Sequence, residues 1–258
     1  MTSRLYAITL NTFREAVRDR VLYNLIIFVL LLVASAPLFS QISIDVERLI
    51  LVNVGLSSIS LFGVIIAIFI GIGLVSKEIE KRTLYTILSR PVRRWEFIAG
   101  KYCGLMMTLL VNAGLMTVGF LIALMITSHG LRAGDAQLLV AVYFTVLEFM
   151  IVTAITLLFS SFSTPIFSAI FAFSLFAIGT FSEDLRNFAA AAEGITRFFA
   201  TIAAYLVPNL ASLNVIAQVA HEQPVAANLI LYNTLYALLY SAAVTAGAVV
   251  IFERRNLK

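Results

Sequence analysis

Long apolar segments with almost no charge recur along the chain, and their length constrains the fold more than any other feature. A helix needs about 20 apolar residues to cross the hydrocarbon core of a bilayer, and six segments have roughly that length. Hydrophobic residues make up 61% of the sequence and charged residues 12%. A soluble globule of this size would expose too much apolar surface to water. The sequence therefore predicts an all-α, polytopic membrane protein.

The segments predict six transmembrane helices, TM1 to TM6, within a single transmembrane domain that spans residues 1–258. Their bounds are Val21–Phe39, Leu49–Val75, Ile98–Ile126, Leu138–Phe159, Pro165–Phe181 and Ala226–Phe252. Phe198–Ala220 could form a seventh span, but Pro208 interrupts it. With six spans, 14 of the 18 Lys and Arg residues fall on one side. The positive-inside rule then predicts a multi-pass protein of the cell (inner or plasma) membrane with both termini in the cytoplasm.

Two regions are expected to lie at the membrane surfaces. In residues 2–20, Tyr6, Leu10, Phe13 and Val17 follow helical spacing in an Arg-rich segment, which predicts an amphipathic interfacial helix. The alternative is a loose cytoplasmic tail. Residues 182–225 form an outer excursion, for which we predict short re-entrant helices broken at Pro208 and a surface for an extracytoplasmic protein.

The loop at residues 76–97 is the most densely charged part of the chain, with nine charged residues between Lys77 and Glu96. Its first half is compatible with a short amphipathic helix, Pro91 opposes continuation, and Trp95 is typical of the membrane interface where TM3 begins. This shape suits docking of a cytoplasmic partner. The alternative is that the charges only set topology and bind anionic lipid.

The same loop carries an ordered motif, Glu78-x-Glu80-x-x-Thr83-Leu84-x-x-Ile87-Leu88-x-Arg90-Pro91-Val92-x-Arg94-Trp95-x-x-x-x-Gly100-Lys101. This order and spacing resemble the signature of ABC-2 type transporter permeases, which lies between TM2 and TM3. An N-terminal amphipathic helix, six spans and short outer helices between TM5 and TM6 are also that family's layout, so the resemblance covers essentially the whole chain. The chain departs from many members at Arg82, where they have glycine.

The resemblance implies a role for each part of the loop. Thr83–Ser89 would be a coupling helix seated in a groove of a cytoplasmic ATPase, and Glu78 and Glu80 would lie at the cytoplasmic end of TM2. The residues implied to bind the ATPase are Thr83, Leu84, Ile87, Leu88, Ser89, Arg90 and Pro91. Two copies, or this chain and a related permease subunit, would together form the pathway.

ATP hydrolysis is expected on the partner chain. No stretch of the sequence fits the phosphate-binding G-x-x-x-x-G-K-[ST] loop, because Gly100-Lys101 is followed by Tyr102 and lacks the upstream glycine. We therefore expect no catalytic residue, no metal site and no cofactor bound directly to this chain, with ATP and Mg²⁺ on the partner. The bilayer is an obligatory partner, and no nucleic acid is expected.

Two charged residues lie within the predicted spans. Lys101 sits near the start of TM3, where its side chain can reach water. Glu148 lies near the middle of TM4, where a charge costs on the order of 2.5–3.5 kcal/mol or more, so it predicts a position in the pathway that contacts a cation or a polar part of the substrate. The alternative is a neutral carboxyl group that is hydrogen-bonded to a neighbouring span, such as TM3 through Asn112.

The function that fits these features is a membrane-spanning permease subunit of an ATP-driven exporter. Two other classes remain open on the sequence. One is an ATP-independent secondary transporter or channel, and the other is a non-transporting membrane subunit that transmits mechanical work.

Overall fold

The computed structural model describes residues 2–18, 27, 44–80, 93–127 and 133–254. The regular elements in these ranges are all helical, which confirms the all-α prediction. Two single turns of 3₁₀ helix, Ala133–Asp135 and Ala211–Leu213, accompany the α-helices. In chain order the α-helices are α1 Thr2–Arg18, α2 Ile44–Glu80, α3 Arg94–Thr127, α4 Ala136–Phe162, α5 Pro165–Thr180, α6 Ser182–Ala191, α7 Gly194–Leu206, α8 Ile216–Ala220 and α9 Ala227–Arg254.

Four of these helices, α2, α3, α4 and α9, are long and apolar enough to cross a membrane. They correspond to the predicted TM2, TM3, TM4 and TM6, and α2 and α3 begin several residues before the predicted spans. Hydropathy marks only the part of a helix that lies in hydrocarbon, whereas the helix itself continues to a capping or breaking residue. The predicted TM1 lies outside the described residues, apart from residue 27.

The predicted TM5 is a short helix followed by a sharp bend. Helix α5 begins with Pro165 at a first-turn position, where proline is well tolerated, and its 16 residues span about 24 Å. The chain bends by 65° between α5 and α6, and by 44° between α7 and the Ala211–Ala220 segment. Each bent pair is either one broken span or a re-entrant loop, so the described residues contain four to six candidate spans.

The region at residues 182–225 contains three short α-helices, one more than the two predicted on either side of Pro208. The expected break is present, because α7 ends at Leu206 and Pro208 follows it. The additional break between α6 and α7 consists of two extended residues, Ala192 and Glu193. Gly194, whose φ is +59°, begins α7, and glycine adopts this left-handed conformation at little cost.

Helix α4 lies at the centre of the fold and packs against α2, α3, α5 and α9. Its side chains interlock with those of α2 and α3 in one continuous apolar core. The largest fully buried apolar side chains of that core include Leu56, Ile59, Ile66, Ile68, Leu105, Phe120, Phe144 and Phe149. In contrast, α6 and α7 pack mainly against each other and touch the bundle through α5 and the 3₁₀ turn at Ala211–Leu213.

The bundle has two distinct ends. At the junction end, the first turns of α3 pack against α1 on one side and bond to the last turn of α9 on another. At the hairpin end, the first turns of α2, α4 and α9 meet the segment that contains α6, α7 and α8.

Candidate functional site

The predicted docking residues for an ATPase, Thr83, Leu84, Ile87, Leu88, Ser89, Arg90 and Pro91, lie outside the described residues. Helix α2 continues without interruption to Glu80. Glu78 and Glu80 therefore belong to the last described turn of α2, shortly before the predicted coupling helix. Residue 93 is the first described residue after it, so the structure shows what the far end of the loop is connected to.

The first turn of α3 is capped by its own acidic residue. The backbone N–H of Arg93 donates a hydrogen bond to Oε2 of Glu96 at 3.0 Å. A glutamate three residues into a helix commonly bonds back to the N-cap residue in this way, which fixes where the helix begins. Glu96 is buried, so the start of α3 is a defined position and not a frayed end.

Arg94 joins this first turn to the C-terminal end of α9. Its Nη1 donates hydrogen bonds to the carbonyl oxygens of Phe252, at 3.1 Å, and Glu253, at 2.6 Å. The last carbonyl groups of a helix have no partner within the helix and carry the negative end of its dipole, so a guanidinium group stabilises them. The rings of Phe97 and Phe252 stack at 5.6 Å in the same contact.

Helix α1 packs on α3 through two glycines, Gly100 and Gly104. A Cβ atom added to Gly100 would lie 2.5 Å from a side-chain carbon of Ile8, and one added to Gly104 would lie 2.5 Å from Cβ of Thr12. Any larger residue would therefore separate the two helices. Small residues four apart allow this kind of close approach between membrane helices.

The face of α1 that meets α3 is not its predicted apolar stripe. Thr12 and Ala16 are fully buried against the bundle, whereas Tyr6 is 67% exposed and Val17 is 40% exposed. Tyr6 and Val17 therefore point away from the protein, whereas Leu10 and Phe13 of the same stripe are partly buried. An exposed apolar stripe on a helix that is packed by its other side is compatible with contact to lipid.

Lys101 does not reach water, and the prediction that it would do so was wrong. It is 1% exposed, its Nζ lies 3.6 Å from Oε2 of Glu15, and it is 5.6 Å from the ring centre of Phe97. The reason is α1, which covers this side of α3 and provides both the carboxylate and the closed surroundings. Sequence reasoning missed this pairing because it treated α1 and TM3 as separate elements.

The intramembrane carboxylate of Glu148 is bonded to α2. The hydroxyl of Ser60 donates a hydrogen bond to Oε2 of Glu148 at 2.7 Å. Asn112, which was considered as the partner from TM3, instead directs its Nδ2 at Sδ of Met116 at 3.5 Å. Ser60 was not singled out from the sequence, since a lone serine in an apolar span gives little signal.

Ser60 belongs to a polar stripe on α2. Asn53, Ser57 and Ser60 are spaced four and three residues apart, which places them on one helix face, and Glu148 of α4 adjoins this face. Ser57 is exposed and the other three are partly exposed. These four residues, called the polar stripe below, form a hydrophilic surface at membrane depth.

At the hairpin end, side chains of α9 hold the break around Pro208. The backbone N–H of Asn209 donates to the hydroxyl of Tyr236 at 2.7 Å, and the hydroxyl of Tyr240 donates to the carbonyl oxygen of Leu206 at 3.1 Å. Asn233 and Ser212 exchange two further hydrogen bonds of 3.0 and 3.1 Å. Tyr236 and Tyr240, four residues apart on α9, thus satisfy backbone groups that a broken helix leaves unpaired.

A charged cluster ties the same end together. Arg48, buried in α2, bonds to Asp135 before α4, and its Nε lies 3.9 Å from Oε1 of Glu222 after α8. Glu222 has a φ of 56° and follows α8 at the position where a helix usually ends with glycine. A glutamate therefore occupies a conformation that glycine adopts more readily, and its carboxylate meets a buried arginine.

No group of three or more His, Cys, Asp or Glu side chains that could hold a metal ion occurs in the described part of the chain. Cys103 is exposed on α3. The described residues instead provide close contacts between helices at the junction end and the polar stripe at membrane depth.

The fold and these sites define a multi-pass α-helical membrane protein. Its helix α3, which follows the charged loop in sequence, contacts both α1 and α9. The family model of the ABC-2 family transporter proteins matches residues 6–257, which is nearly the whole chain. The protein belongs to this family. No curated protein matches the chain closely enough to be reported as a relative.

Proposed function

We propose that the chain is the permease subunit of an ATP-driven exporter, and that a separate cytoplasmic ATPase drives it through the loop at residues 81–92. The observation that carries this proposal is the attachment of α3 at the junction end. Directly after the loop, Arg94 is bonded to α9 and Lys101 is paired with α1. A force applied to the loop would therefore move three helices together.

The ATPase would bind the coupling helix Thr83–Ser89 and the adjoining Arg90 and Pro91. It would hold ATP and Mg²⁺, and this chain would contribute no catalytic group. Glu78 and Glu80, on the last turn of α2, would receive the movement from the other end of the loop. Both termini would lie in the cytoplasm, because α1 and the end of α9 lie beside the start of α3 and share its side of the membrane.

The pathway would run along the polar stripe of α2 and α4. A surface with a serine, an asparagine and a carboxylate is costly to leave against lipid tails. A second copy of this chain, or a related permease subunit, would face it and enclose a polar route for the substrate. Ser60 would hold the Glu148 carboxyl group in position.

Docking is tested with Leu84→Asp/Leu88→Asp in the full chain, co-expressed with the ATPase that forms its complex. A charge on the apolar face of the coupling helix should abolish co-purification of the ATPase, because burying an unpaired carboxylate costs several kcal/mol. The matched control Leu84→Met/Leu88→Met keeps the apolar face and should retain the ATPase. Undiminished co-purification of the Asp variant would reject docking through this helix.

The pathway is tested with Glu148→Gln in cells that lack the native gene. We expect the complex to assemble at wild-type yield and to fail to restore the function of the missing protein. Glu183→Gln, the same chemical change at an exposed position of α6, should restore it. A fully active Glu148→Gln variant would remove Glu148 from the mechanism, and ATP turnover without solute movement in vesicles would favour a subunit that transmits only mechanical work.

A further inference from the structure

A second feature of the hairpin end is a cleft between α6 and α7 that the proposed transport mechanism does not use. Its volume is about 450 Å³, within the range of roughly 300–1,000 Å³ that is typical of small-ligand sites. The cleft is lined by Arg186, Ala189, Ala190, Arg197, Thr201, Ala204 and Tyr205. Three alanines keep the cleft open, and every other lining side chain can donate a hydrogen bond.

The two arginines of this cleft are available for a ligand. Neither Arg186 nor Arg197 makes an ion pair or a hydrogen bond with another described residue. The acidic residues of the same hairpin, Glu183, Asp184 and Glu193, are not part of the lining. The cleft therefore presents two guanidinium groups and two hydroxyl groups without a carboxylate among them.

Helix α7 has a second face that is apolar and exposed. Ile195, Phe198, Phe199, Ile202 and Leu206 follow helical spacing, and Ile195 is 78% exposed. The cleft residues Arg197, Thr201 and Ala204 lie on another side of the same helix. A helix with arginine on one face and Phe, Ile and Leu on another is typical of segments that lie in the membrane interface.

These observations combine a cationic cleft with an adjacent exposed apolar surface. Guanidinium groups bind phosphate oxygens in a bidentate manner, and hydroxyl groups can complete the set of donors. Tyr205 lies between the polar and the apolar face of α7, and tyrosine favours the depth of the lipid headgroups. A ligand with a phosphate in the cleft and acyl chains along the apolar face would satisfy both surfaces together.

We propose that the α6–α7 cleft is a binding site for the headgroup of an anionic phospholipid. Arg186 and Arg197 clamp the phosphate from the two sides of the hairpin, and Thr201 and Tyr205 donate hydrogen bonds to the headgroup oxygens. The acyl chains lie against Phe198, Phe199 and Ile202. The bound lipid holds α6 and α7 at the membrane surface, where few contacts attach them to the bundle.

The test uses the full chain, purified in detergent, stripped of lipid and titrated with dioctanoyl phosphatidylglycerol under native mass spectrometry. Each arginine near a membrane surface contributes about fivefold to the binding of anionic lipid. The variant Arg186→Gln/Arg197→Gln should therefore bind the first lipid roughly 25-fold more weakly. The variant Arg186→Lys/Arg197→Lys keeps both charges but loses the bidentate geometry, so its affinity should fall between those of the wild type and the glutamine variant.

The matched control is Arg14→Gln/Arg254→Gln, which removes two exposed arginines from the junction end and changes the net charge equally. It should bind the first lipid as the wild type does. Equal weakening in this control and in the cleft variant would overturn the proposal, because the lipid would then respond only to net charge. A lysine variant that binds no better than the glutamine variant would also overturn it, because the positive charges would then contribute nothing to binding.

Two further titrations distinguish the source of the phosphate. Dioctanoyl phosphatidylcholine has the same chains and a zwitterionic headgroup, and its binding should not change in the cleft variant. Inorganic phosphate at millimolar concentration should not displace the bound phosphatidylglycerol. Displacement by inorganic phosphate would show a site for a soluble anion. An equal loss of phosphatidylcholine binding in the cleft variant would show a site that recognises only the acyl chains. Either result overturns the proposal.

Discussion

The two ends of the bundle are built in different ways. At the junction end, α3 is joined to α9 by the stacked rings of Phe97 and Phe252, and to α1 by close packing at two glycines and by the buried Lys101, which pairs with the partly exposed Glu15. At the hairpin end, α6 and α7 pack mainly on each other, and the break at Pro208 is held by a few hydrogen bonds from α9.

This difference corresponds to the parts proposed for each end. A connection that transmits force has to keep its geometry under load, and closely packed interiors have low compressibility and transmit strain. Elements that contact lipid or a changing pathway need lower local stability, which fewer buried contacts provide. We therefore expect substitutions at the junction end to affect the whole fold and substitutions at the hairpin end to act locally.

The largest effect is expected from Lys101→Glu. It would place a second carboxylate beside Glu15 in a closed contact, and an uncompensated buried charge costs about 3–5 kcal/mol. We expect little monodisperse protein and a strongly lowered midpoint of thermal unfolding, measured by size-exclusion chromatography after heating in detergent.

Two variants show whether charge is the cause. Lys101→Met fills a similar volume without charge and should be milder, and Glu15→Lys/Lys101→Glu should recover part of the loss because it restores an opposite-charge pair. If Lys101→Glu is as stable as Lys101→Met, the junction end is not held by this pair and its contrast with the hairpin end is weaker than proposed.

The outline of this fold could be predicted from the sequence because hydropathy indicates the length of each spanning segment and which of its residues lie in the bilayer. The four long helices coincide with predicted spans, and the break at Pro208 follows from proline chemistry. The partners of each helix could not be predicted in the same way. Hydropathy does not say which helix faces meet, so the sequence did not reveal that α1 packs against Gly100 and Lys101.

The site was predictable only in part for a related reason. Glu148 is conspicuous because a carboxylate in a span is rare, but its partner Ser60 resembles many serines in apolar helices. Glu222 is an ordinary charged residue in the sequence, and its structural role depends on its positive φ angle. Such roles follow from three-dimensional contacts that span 88 residues in one case, and no local pattern encodes them.

A medium effect is expected from Gly104→Ala at the junction end. The added Cβ would lie 2.5 Å from Cβ of Thr12 and 2.8 Å from the carbonyl oxygen of Thr9. Overpacking of this kind costs typically about 1–3 kcal/mol. Faster hydrogen exchange in α1 and a lower unfolding midpoint should follow.

Gly114→Ala is the matched control on the same helix, because nothing lies within 4 Å of the position of its Cβ. Alanine favours helix over glycine by about 0.5–1 kcal/mol, so this variant should be as stable as the wild type or slightly more stable. Equal behaviour of the two alanine variants would argue against close packing of α1 on α3.

The smallest effect is expected at Glu222, where two changes oppose each other. Glycine would relieve the left-handed conformation at φ 56°, worth roughly 1 kcal/mol. It would also remove an ion pair with Arg48 across 3.9 Å, and because Glu222 is largely exposed such a pair contributes about 0–1 kcal/mol. Glu222→Gly should therefore change the unfolding midpoint very little, whereas Glu222→Ala loses the pair, keeps the strained angle and should be less stable.

Hydrogen exchange in residues 216–225 should rise in the alanine variant and stay unchanged in α1. A glycine variant that is less stable than the alanine variant, or a change that reaches α1, would show that the hairpin end is coupled to the whole fold as tightly as the junction end.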